Sequence, residues 1–179
     1  MRTFFIFFSI AILGIFFSYF IGAYNAYFYP MKYSKEIEFF SEKYDVGGAI
    51  IASVANVESN FDENAVSNKG AIGIMQLIPS TAEWIAGKIG KDYDEEKLKN
   101  AEYNLELGAF YLSYLINYFQ DERVGICAYN AGQGNVSNWL KDEKYSKDGK
   151  TLYKIPFEET NNYLKKVLNN YNYYKNKYK

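Results

Sequence analysis

The chain of 179 residues contains no histidine, and this absence restricts its possible chemistry more than any other feature of its composition. Without an imidazole there is no Ser-His or Cys-His nucleophile pair and no histidine-based metal site. The single cysteine, Cys127, excludes an internal disulfide, and its place in the run VGICAYN indicates a small buried hydrophobe. We therefore expect any catalysis to use carboxylate, hydroxyl, amide or amine groups, with no metal and no cofactor.

The chain also lacks a strong net charge, since 20 Lys and Arg residues face 21 Asp and Glu residues. This balance gives no general argument for a polyanionic partner. Lysines alternate with tyrosines in the C-terminal segment LNNYNYYKNKYK, but a solvated helix face is the simpler interpretation. We predict no nucleic-acid partner. The length suits one domain, and the oligomeric state stays open, with a monomer as the expectation.

A hydrophobic segment without a charged residue occupies residues 3–31. About 20 apolar residues cross a bilayer as a helix, so this length favours an uncleaved single-pass anchor over residues 1–30. The alternative is a cleaved signal peptide, whose apolar region is about 7 to 15 residues long and is followed by a small-x-small site. Ala23 and Ala26 each lack a small residue two positions before them. The flanking charges hardly decide the orientation.

Beyond Pro30 the pattern changes to a series of helices, with no convincing strand alternation and no repeat. We predict an all-α domain over residues 31–175, followed by a flexible tail over residues 176–179. The predicted helices span residues 34–44, 49–59, 79–90, 95–99, 102–119, 122–130, 135–140 and 156–174.

Three local signals mark where helices begin. Ser80 and Glu83 have the S-x-x-E spacing of a capping box. Asp94 precedes the short helix and can cap it. Pro156 stands where a proline can occupy the first position of the last helix.

One residue departs from the helical pattern in a way that suggests chemistry. In the helix over residues 49–59, Ile51, Val54 and Ala55 form an inward-facing stripe, and its next position is Glu58. Burial and the negative end of the helix dipole both disfavour the charged carboxylate. A carboxyl group that keeps its proton near neutral pH can act as a general acid. The alternative is an exposed glutamate at a frayed helix end.

Four separate blocks resemble the catalytic domain of the soluble lytic transglycosylase family, which has a goose-type-lysozyme-like fold. They are ESNF (58–61), GIMQLIPSTA (73–82), AYNAG (128–132) and IPFEETNNYLKKVL (155–168). Ile74, Ile78 and Leu164 are mild departures from the family pattern. The resemblance covers residues 36–171 and implies an all-α lysozyme-like domain.

The resemblance also implies a reaction and a substrate, the glycan strands of peptidoglycan. Glu58 takes the place of the family's single acid/base, which cleaves the bond between N-acetylmuramic acid and N-acetylglucosamine and leaves a 1,6-anhydro end. The implied substrate-binding residues are Ser67, Met75, Gln76, Tyr129, Asn130 and Tyr163. From the residues alone, other interpretations stay open: a turn serine, a core methionine, a core tyrosine at 129 and a helix C-cap at 130.

Two other functions remain open at this stage. A hydrolytic muramidase needs a second carboxylate, for which Asp62 and Glu63 are the nearest candidates in sequence. A non-catalytic wall-binding or assembly module needs no acid at all. Because peptidoglycan lies outside the cytoplasmic membrane, we expect the domain on the extracytoplasmic side of the cell membrane.

Overall fold

The computed structural model describes the backbone of residues 2–178 and the side chains of residues 7, 10 and 12–178. In this part of the chain the regular structure is helical, apart from isolated antiparallel bridges of Ile72 with Val66 and Leu77. The prediction of an all-α chain is confirmed. The chain divides into two units between Lys32 and Tyr33.

The first unit contains one long helix, α1, over Arg2–Phe28. Its described apolar side chains are largely exposed, among them Leu13, Phe16 and Phe20. Among the described residues, no helix combines the length and hydropathy that a membrane crossing requires. The side chains of residues 1–6, 8, 9 and 11 of the predicted anchor lie outside the described residues.

The second unit contains seven α-helices and one 3₁₀ helix within its described residues. They are α2 (Ser34–Tyr44), α3 (Gly48–Ser59), α4 (Pro79–Lys88), the 3₁₀ helix (Glu95–Lys99), α5 (Ala101–Phe119), α6 (Glu122–Ala131), α7 (Gln133–Lys141) and α8 (Glu158–Tyr174). Their ends agree with the predicted ones to within two residues.

Helix α3 lies at the centre of this unit, because every residue from Gly48 to Ala55 is buried. It packs against α8 and α2, while α5 packs against α6 and α2. The large aliphatic side chains Ile50, Ile51 and Val54 expose 1% of their surface or less. Burying each contributes about 1.5–3 kcal/mol, so α3 is a rigid base for whatever its C-terminal end carries.

The helix starts were predicted with mixed success. Asp94 caps the 3₁₀ helix as predicted, accepting a hydrogen bond from the backbone N–H of Glu96. The capping box at Ser80 is wrong, because Pro79 occupies the first position of α4 and no side chain caps it. The prediction for Pro156 is also wrong. Phe157 keeps an extended backbone, so α8 begins only at Glu158.

The C-terminal residues depart from the predicted flexible tail at Tyr178. Its side chain is 4% exposed, and its ring lies 5.9 Å from that of Tyr174. A Cβ atom added to Gly48 would lie 3.2 Å from the Cβ of Tyr178, so this residue contacts the start of α3. Aromatic burial therefore holds the chain to the domain up to residue 178. Lys179 lies outside the described residues.

Candidate active site

Glu58 is the second-to-last residue of α3 and continues the buried stripe of Ile51, Val54 and Ala55. Its side chain is partly buried. Burial raises the pKa of the Glu58 carboxyl to about 7, a hydrogen bond from Tyr163 lowers it, and the charge of Glu159 raises it. Because loss of water outweighs the hydrogen bond from Tyr163, about half of the Glu58 carboxyl groups keep their proton at pH 7.

Tyr163 on α8 donates a hydrogen bond of 2.7 Å from its hydroxyl to Oε1 of Glu58. Its side chain is 7% exposed. Burial and the charge of Glu58 raise the pKa of Tyr163 well above its ordinary value of 10.0, so the hydroxyl stays neutral. A neutral donor can support the Glu58 carboxylate without supplying the positive charge that would keep it permanently ionised.

The chain turns sharply just after Glu58. Asn60 and Phe61 have positive φ angles of 52° and 60°, a backbone conformation that residues other than glycine rarely adopt. Two contacts hold them there: Asn56 donates to the side-chain oxygen of Asn60, and Phe61 is buried edge-on against the ring of Tyr174. Packing therefore fixes the strained exit from α3 and the position of its last turn.

The loop over residues 60–78 is fastened to the helices by buried polar groups. Asn104 of α5 accepts from the backbone N–H of Met75 at 2.7 Å and donates to the carbonyls of Ile72 and Leu98. Gly73 is required there, because an added Cβ atom would lie 2.3 Å from the carbonyl oxygen of Leu98. Asn104 was not among the predicted site residues, although a polar residue on the buried side of an apolar helix is a detectable signal.

Met75 does not line a cleft with its side chain, so this part of the prediction is wrong. The side chain is fully buried, and a Cβ atom added to Gly108 would lie 2.6 Å from Met75 Cγ. The absent side chain at residue 108 makes the hole that Met75 fills. What Met75 offers the site is its backbone, whose carbonyl oxygen accepts a 2.8 Å hydrogen bond from the Tyr129 hydroxyl.

Tyr129 of α6 is therefore a link between a helix and the loop. Burial, and then the charge of Glu58, raise the pKa of Tyr129 well above 10.0. Its hydroxyl remains a neutral donor to the Met75 carbonyl, and its ring is available to the cleft. Ser59, beside Glu58, makes a second link by donating to the carbonyl of Ile74 at 2.8 Å.

A cleft of about 420 Å³ opens beside these groups. Its lining residues are Glu58, Ser67, Asn68, Lys69, Ala71, Gln76, Ile78, Tyr129, Asn130 and Glu159. Five of the seven predicted site residues, Glu58, Ser67, Gln76, Tyr129 and Asn130, therefore meet in one cleft. Tyr163 reaches it through its hydrogen bond to Glu58, and Met75 lies behind it.

Ser67 and Gln76 face the cleft, but both also hold the loop together. The Ser67 hydroxyl accepts from the backbone N–H groups of Lys69 and Ala71. The Gln76 amide nitrogen donates to the carbonyls of Ala65 and Gly73. Two carbonyls thus engage the amide N–H groups, which leaves the Gln76 side-chain oxygen as the group for a ligand.

The opposite wall comes from the end of α6 and the start of α8. The side-chain oxygen of Asn130 accepts a 2.7 Å hydrogen bond from the Thr160 hydroxyl. The amide N–H groups of Asn130 are not used in this bond and can donate to a ligand. Glu159 is exposed and forms an ion pair of 3.2 Å with Lys69. Lys69 was not predicted at the site, because a surface lysine in a polar loop carries no signal of such a position.

Nothing in the described residues gathers three or more His, Cys, Asp or Glu side chains into a cluster that could hold a metal ion. Cys127 is buried, and burial raises the pKa of its thiol to about 12. The groups that meet in the cleft suit proton transfer by the Glu58 carboxyl group, which the neutral Tyr163 hydroxyl assists, and the amide and hydroxyl groups around it suit a sugar.

Comparison with known proteins matches residues 35–152 to the family described as the Transglycosylase SLT domain. The chain belongs to this family. The predicted resemblance and the lysozyme-like transglycosylase fold are thereby confirmed. The match ends before α8, so the helix that carries Tyr163 lies outside it.

Named relatives include the soluble lytic murein transglycosylase of Salmonella typhimurium, 31% identical over 144 residues, which are 78% of this chain and 22% of that protein. The membrane-bound lytic murein transglycosylase C of Glaesserella parasuis is 28% identical over 163 residues, 76% of this chain and 44% of the relative. The chain thus spans about a fifth of the length of the first relative.

Solved structures of lytic transglycosylases have a similar fold. An inactive glutamate-to-glutamine mutant of lytic transglycosylase Slt from Pseudomonas aeruginosa superposes with a TM-score of 0.74 at 32% identity, covering 83% of this chain and 25% of that one. The 70 kDa soluble lytic transglycosylase in complex with bulgecin A gives a TM-score of 0.74 at 28% identity, covering 82% of this chain and 24% of that one.

Proposed function

We propose that this chain is a peptidoglycan lytic transglycosylase in which Glu58 is the single acid and base. The observation that carries the proposal is the Glu58–Tyr163 pair: a carboxyl group with a pKa raised to about 7, hydrogen-bonded at 2.7 Å to a neutral hydroxyl. Membership of the transglycosylase family and the lytic transglycosylase names of its relatives support the same reaction.

The reaction uses one carboxyl group twice. Protonated Glu58 donates its proton to the glycosidic oxygen between N-acetylmuramic acid and N-acetylglucosamine as the C1–O bond breaks. The Glu58 carboxylate, supported by the Tyr163 hydroxyl, then takes the proton of the muramic C6 hydroxyl. That oxygen bonds to C1 and closes a 1,6-anhydro ring, which returns Glu58 to its protonated form without consuming water.

The other cleft residues have binding roles in this proposal. The side-chain oxygen of Gln76 and the amide N–H groups of Asn130 are suited to sugar hydroxyl and acetamido groups. Ser67 and the ring of Tyr129 complete the wall of the cleft. Met75 supports this wall indirectly, because its carbonyl oxygen accepts the hydrogen bond from the Tyr129 hydroxyl.

A hydrolytic muramidase is the second candidate, and one observation favours it: Glu159 also lines the cleft, whereas Asp62 and Glu63 do not. Hydrolysis by two carboxylates would require Glu159 to activate water or to bond to the sugar. Its exposure and its ion pair with Lys69 argue for a structural role at the rim instead.

Mass spectrometry of muropeptides released from purified peptidoglycan by the full chain separates the candidates. A transglycosylase gives 1,6-anhydro ends, while hydrolysis gives reducing ends heavier by one water, about 18 Da. We expect anhydro products from the wild type and from the Asp62→Asn and Glu159→Gln variants, and none from Glu58→Gln. Reducing ends that require Glu159 would replace the proposal with a muramidase. Release of nothing by the wild type would favour a binding module.

We further propose that residues 1–30 anchor the enzyme in the cell membrane, with residues 31–175 on the extracytoplasmic side. Support comes from the uncharged segment over residues 3–31, from the exposed apolar side chains of α1 and from the membrane-bound name of one relative. Alkaline carbonate extraction of membranes from cells that produce the chain tests this. The anchored protein stays in the pellet, whereas release into the supernatant would contradict the proposal.

A further inference from the structure

A cavity of about 500 Å³ lies between α6, α8 and the irregular segment over residues 151–155. On α8 its lining residues are Asn161, Leu164, Lys165 and Leu168. Residues at this spacing of three and four share one face of a helix. Glu159, which lines the cleft, and Tyr163, which bonds to Glu58, belong to the other face of α8. The cavity is therefore separate from the site proposed for catalysis.

The floor of this cavity is apolar. Its buried residues are Val124, Cys127 and Leu164, each of which exposes 5% of its surface or less. The half-buried apolar residues around them are Leu152, Ile155 and Leu168. Binding pockets in proteins typically have volumes of about 300–1,000 Å³ and a mostly apolar lining with a few polar groups. The cavity is thus large enough to receive a large apolar side chain.

The rim of the cavity carries more positive than negative charge. It includes Arg123, Lys154 and Lys165 against one acidic residue, Asp121. The three cations are exposed, and within the described part of the chain their side chains form no ion pair and no hydrogen bond. Asp121 is already engaged, because its side chain accepts from the backbone N–H of Val124 as the cap of α6. The rim therefore offers three cations to an anionic ligand.

The segment over residues 151–155 also offers backbone donors. The N–H groups of Tyr153 and Lys154 donate to the carbonyl of Tyr145. Those of Leu152 and Ile155, both of which line the cavity, have no partner among the described residues. The carbonyl groups of an extended peptide can accept from such donors, whereas an acyl chain has no acceptor to offer. The backbone therefore favours a peptide over a lipid as the ligand.

We propose that this cavity docks an acidic peptide segment of a partner protein. One large apolar side chain of the segment enters the cavity, and the carboxylates beside it pair with Arg123, Lys154 and Lys165. Charge complementarity selects an acidic segment, while burial of the apolar side chain supplies most of the affinity. The proposal does not depend on the reaction assigned to Glu58, since the two sites use different faces of α8.

Selection of random heptapeptides displayed on phage, against the full chain in phosphatidylcholine nanodiscs, tests this proposal. We expect enrichment of peptides in which a leucine or an aromatic residue is flanked by aspartate or glutamate. The most enriched peptide is then synthesised with a fluorophore, and its affinity for the full chain is measured by fluorescence anisotropy. Failure to enrich any peptide, or enrichment of peptides without acidic residues, overturns the proposal.

Variants of the full chain locate the bound peptide. We expect Lys165→Glu to weaken binding about tenfold, because the charge at the rim is reversed. Leu152→Asp should weaken it by about tenfold or more, because it places a carboxylate beside the apolar floor. Lys166→Glu is the matched control: this exposed neighbour has the same charge but does not line the cavity. It should change the affinity by less than about twofold.

Three further results would overturn the proposal. Unchanged binding in both Lys165→Glu and Leu152→Asp would place the peptide elsewhere on the chain. Equal losses in Lys165→Glu and Lys166→Glu would reduce the effect to a general attraction between opposite charges. Displacement of the peptide by lower concentrations of an isolated stem peptide, or of dioctanoyl phosphatidylglycerol, would assign the cavity to peptidoglycan or to a lipid. Circular dichroism verifies that each variant is folded.

Discussion

Two glutamates on inward-facing helix positions show how the same side chain acquires opposite properties. Glu106 on α5 is 3% exposed, yet its pKa lies below its ordinary value of 4.5, whereas the pKa of Glu58 is raised to about 7. Burial raises the pKa in both places. Around Glu106, hydrogen bonds from Lys43 at 2.7 Å, from Lys91 and from Tyr44 at 2.9 Å outweigh it.

Nearby cations, and not burial alone, therefore decide whether a buried carboxyl group is protonated or ionised. Among the described residues, the hydrogen bond that Glu58 accepts comes from a neutral tyrosine, Tyr163. Lys69 lines the same cleft but forms an ion pair with Glu159. The fold thus supplies two ammonium groups to the glutamate that holds helices together and none directly to the one that is proposed to carry a proton.

The largest expected difference between the two glutamates is in catalysis. We expect Glu58→Gln to lower the rate of muropeptide release by about 10³-fold or more, because it removes the acid and the base together. Glu106→Gln, measured well below its unfolding temperature, stays within about threefold of the wild type, since Glu106 lies outside the cleft. Retention of more than a tenth of the activity by Glu58→Gln would remove Glu58 from the mechanism.

Although Glu58→Gln should abolish activity, we expect it to increase the stability of the fold at alkaline pH. The pKa of Glu58 is raised on folding, so its contribution is complete below about pH 4.5 and is lost as the pH rises through about 7. Glu58→Gln should therefore increase the free energy of unfolding near pH 8 by on the order of 2–3 kcal/mol and change it little near pH 4. Urea denaturation at both pH values measures this, and a loss of stability near pH 8 would be inconsistent with it.

Glu106→Gln should destabilise the protein. Because its pKa is lowered on folding, Glu106 contributes stability above its unfolded value of 4.5 and loses it as the pH falls through the folded pKa. We expect a loss of about 1–3 kcal/mol near neutral pH, since the amide replaces charge-assisted hydrogen bonds, and a smaller loss at acidic pH. The partly exposed Lys43 and Lys91 can return to water, which limits the effect.

The smallest contrast concerns the two tyrosines that donate to these glutamates. The Tyr163 hydrogen bond lowers the pKa of Glu58, so Tyr163→Phe should shift the alkaline limb of the activity profile to higher pH and reduce the maximum rate about tenfold. Tyr44→Phe removes a similar bond from Glu106 and should leave the profile in place. If Tyr44→Phe shifts the alkaline limb of the activity profile, or if Tyr163→Phe does not, the two tyrosines do not have the different roles assigned to them.

The sequence allowed prediction of whatever depends on local periodicity. Helix bounds and the inward position of Glu58 follow from side chains three and four residues apart. The Tyr163–Glu58 hydrogen bond joins residues 105 apart, and only the family resemblance suggested Tyr163. Periodicity also does not show which cations reach a carboxyl group, so Lys91 beside Glu106 and Lys69 beside Glu159 had no signal.

Other errors have local causes. Met75 was assigned to the cleft by the family resemblance, but the missing side chain at Gly108 opens the core to Met75. Ser80 was assigned to a cap, although Pro79 already starts the helix. The packing of Trp84 against Tyr111 and Tyr114 was not predicted, since in a chain with 19 tyrosines and 14 phenylalanines an aromatic residue carries little information until its neighbours are known.

The most direct test of the central claim is the titration of Glu58 itself. Carbon-13 label at the side-chain carboxyl carbon of glutamate, in the full chain, reports each glutamate by NMR between about pH 3 and about pH 9. We predict one signal with a midpoint near 7 that disappears in Glu58→Gln, and a second signal, lost in Glu106→Gln, with a midpoint below 4.5. If the signal lost in Glu58→Gln titrates below about pH 5, Glu58 is ionised at neutral pH and cannot be the proposed acid.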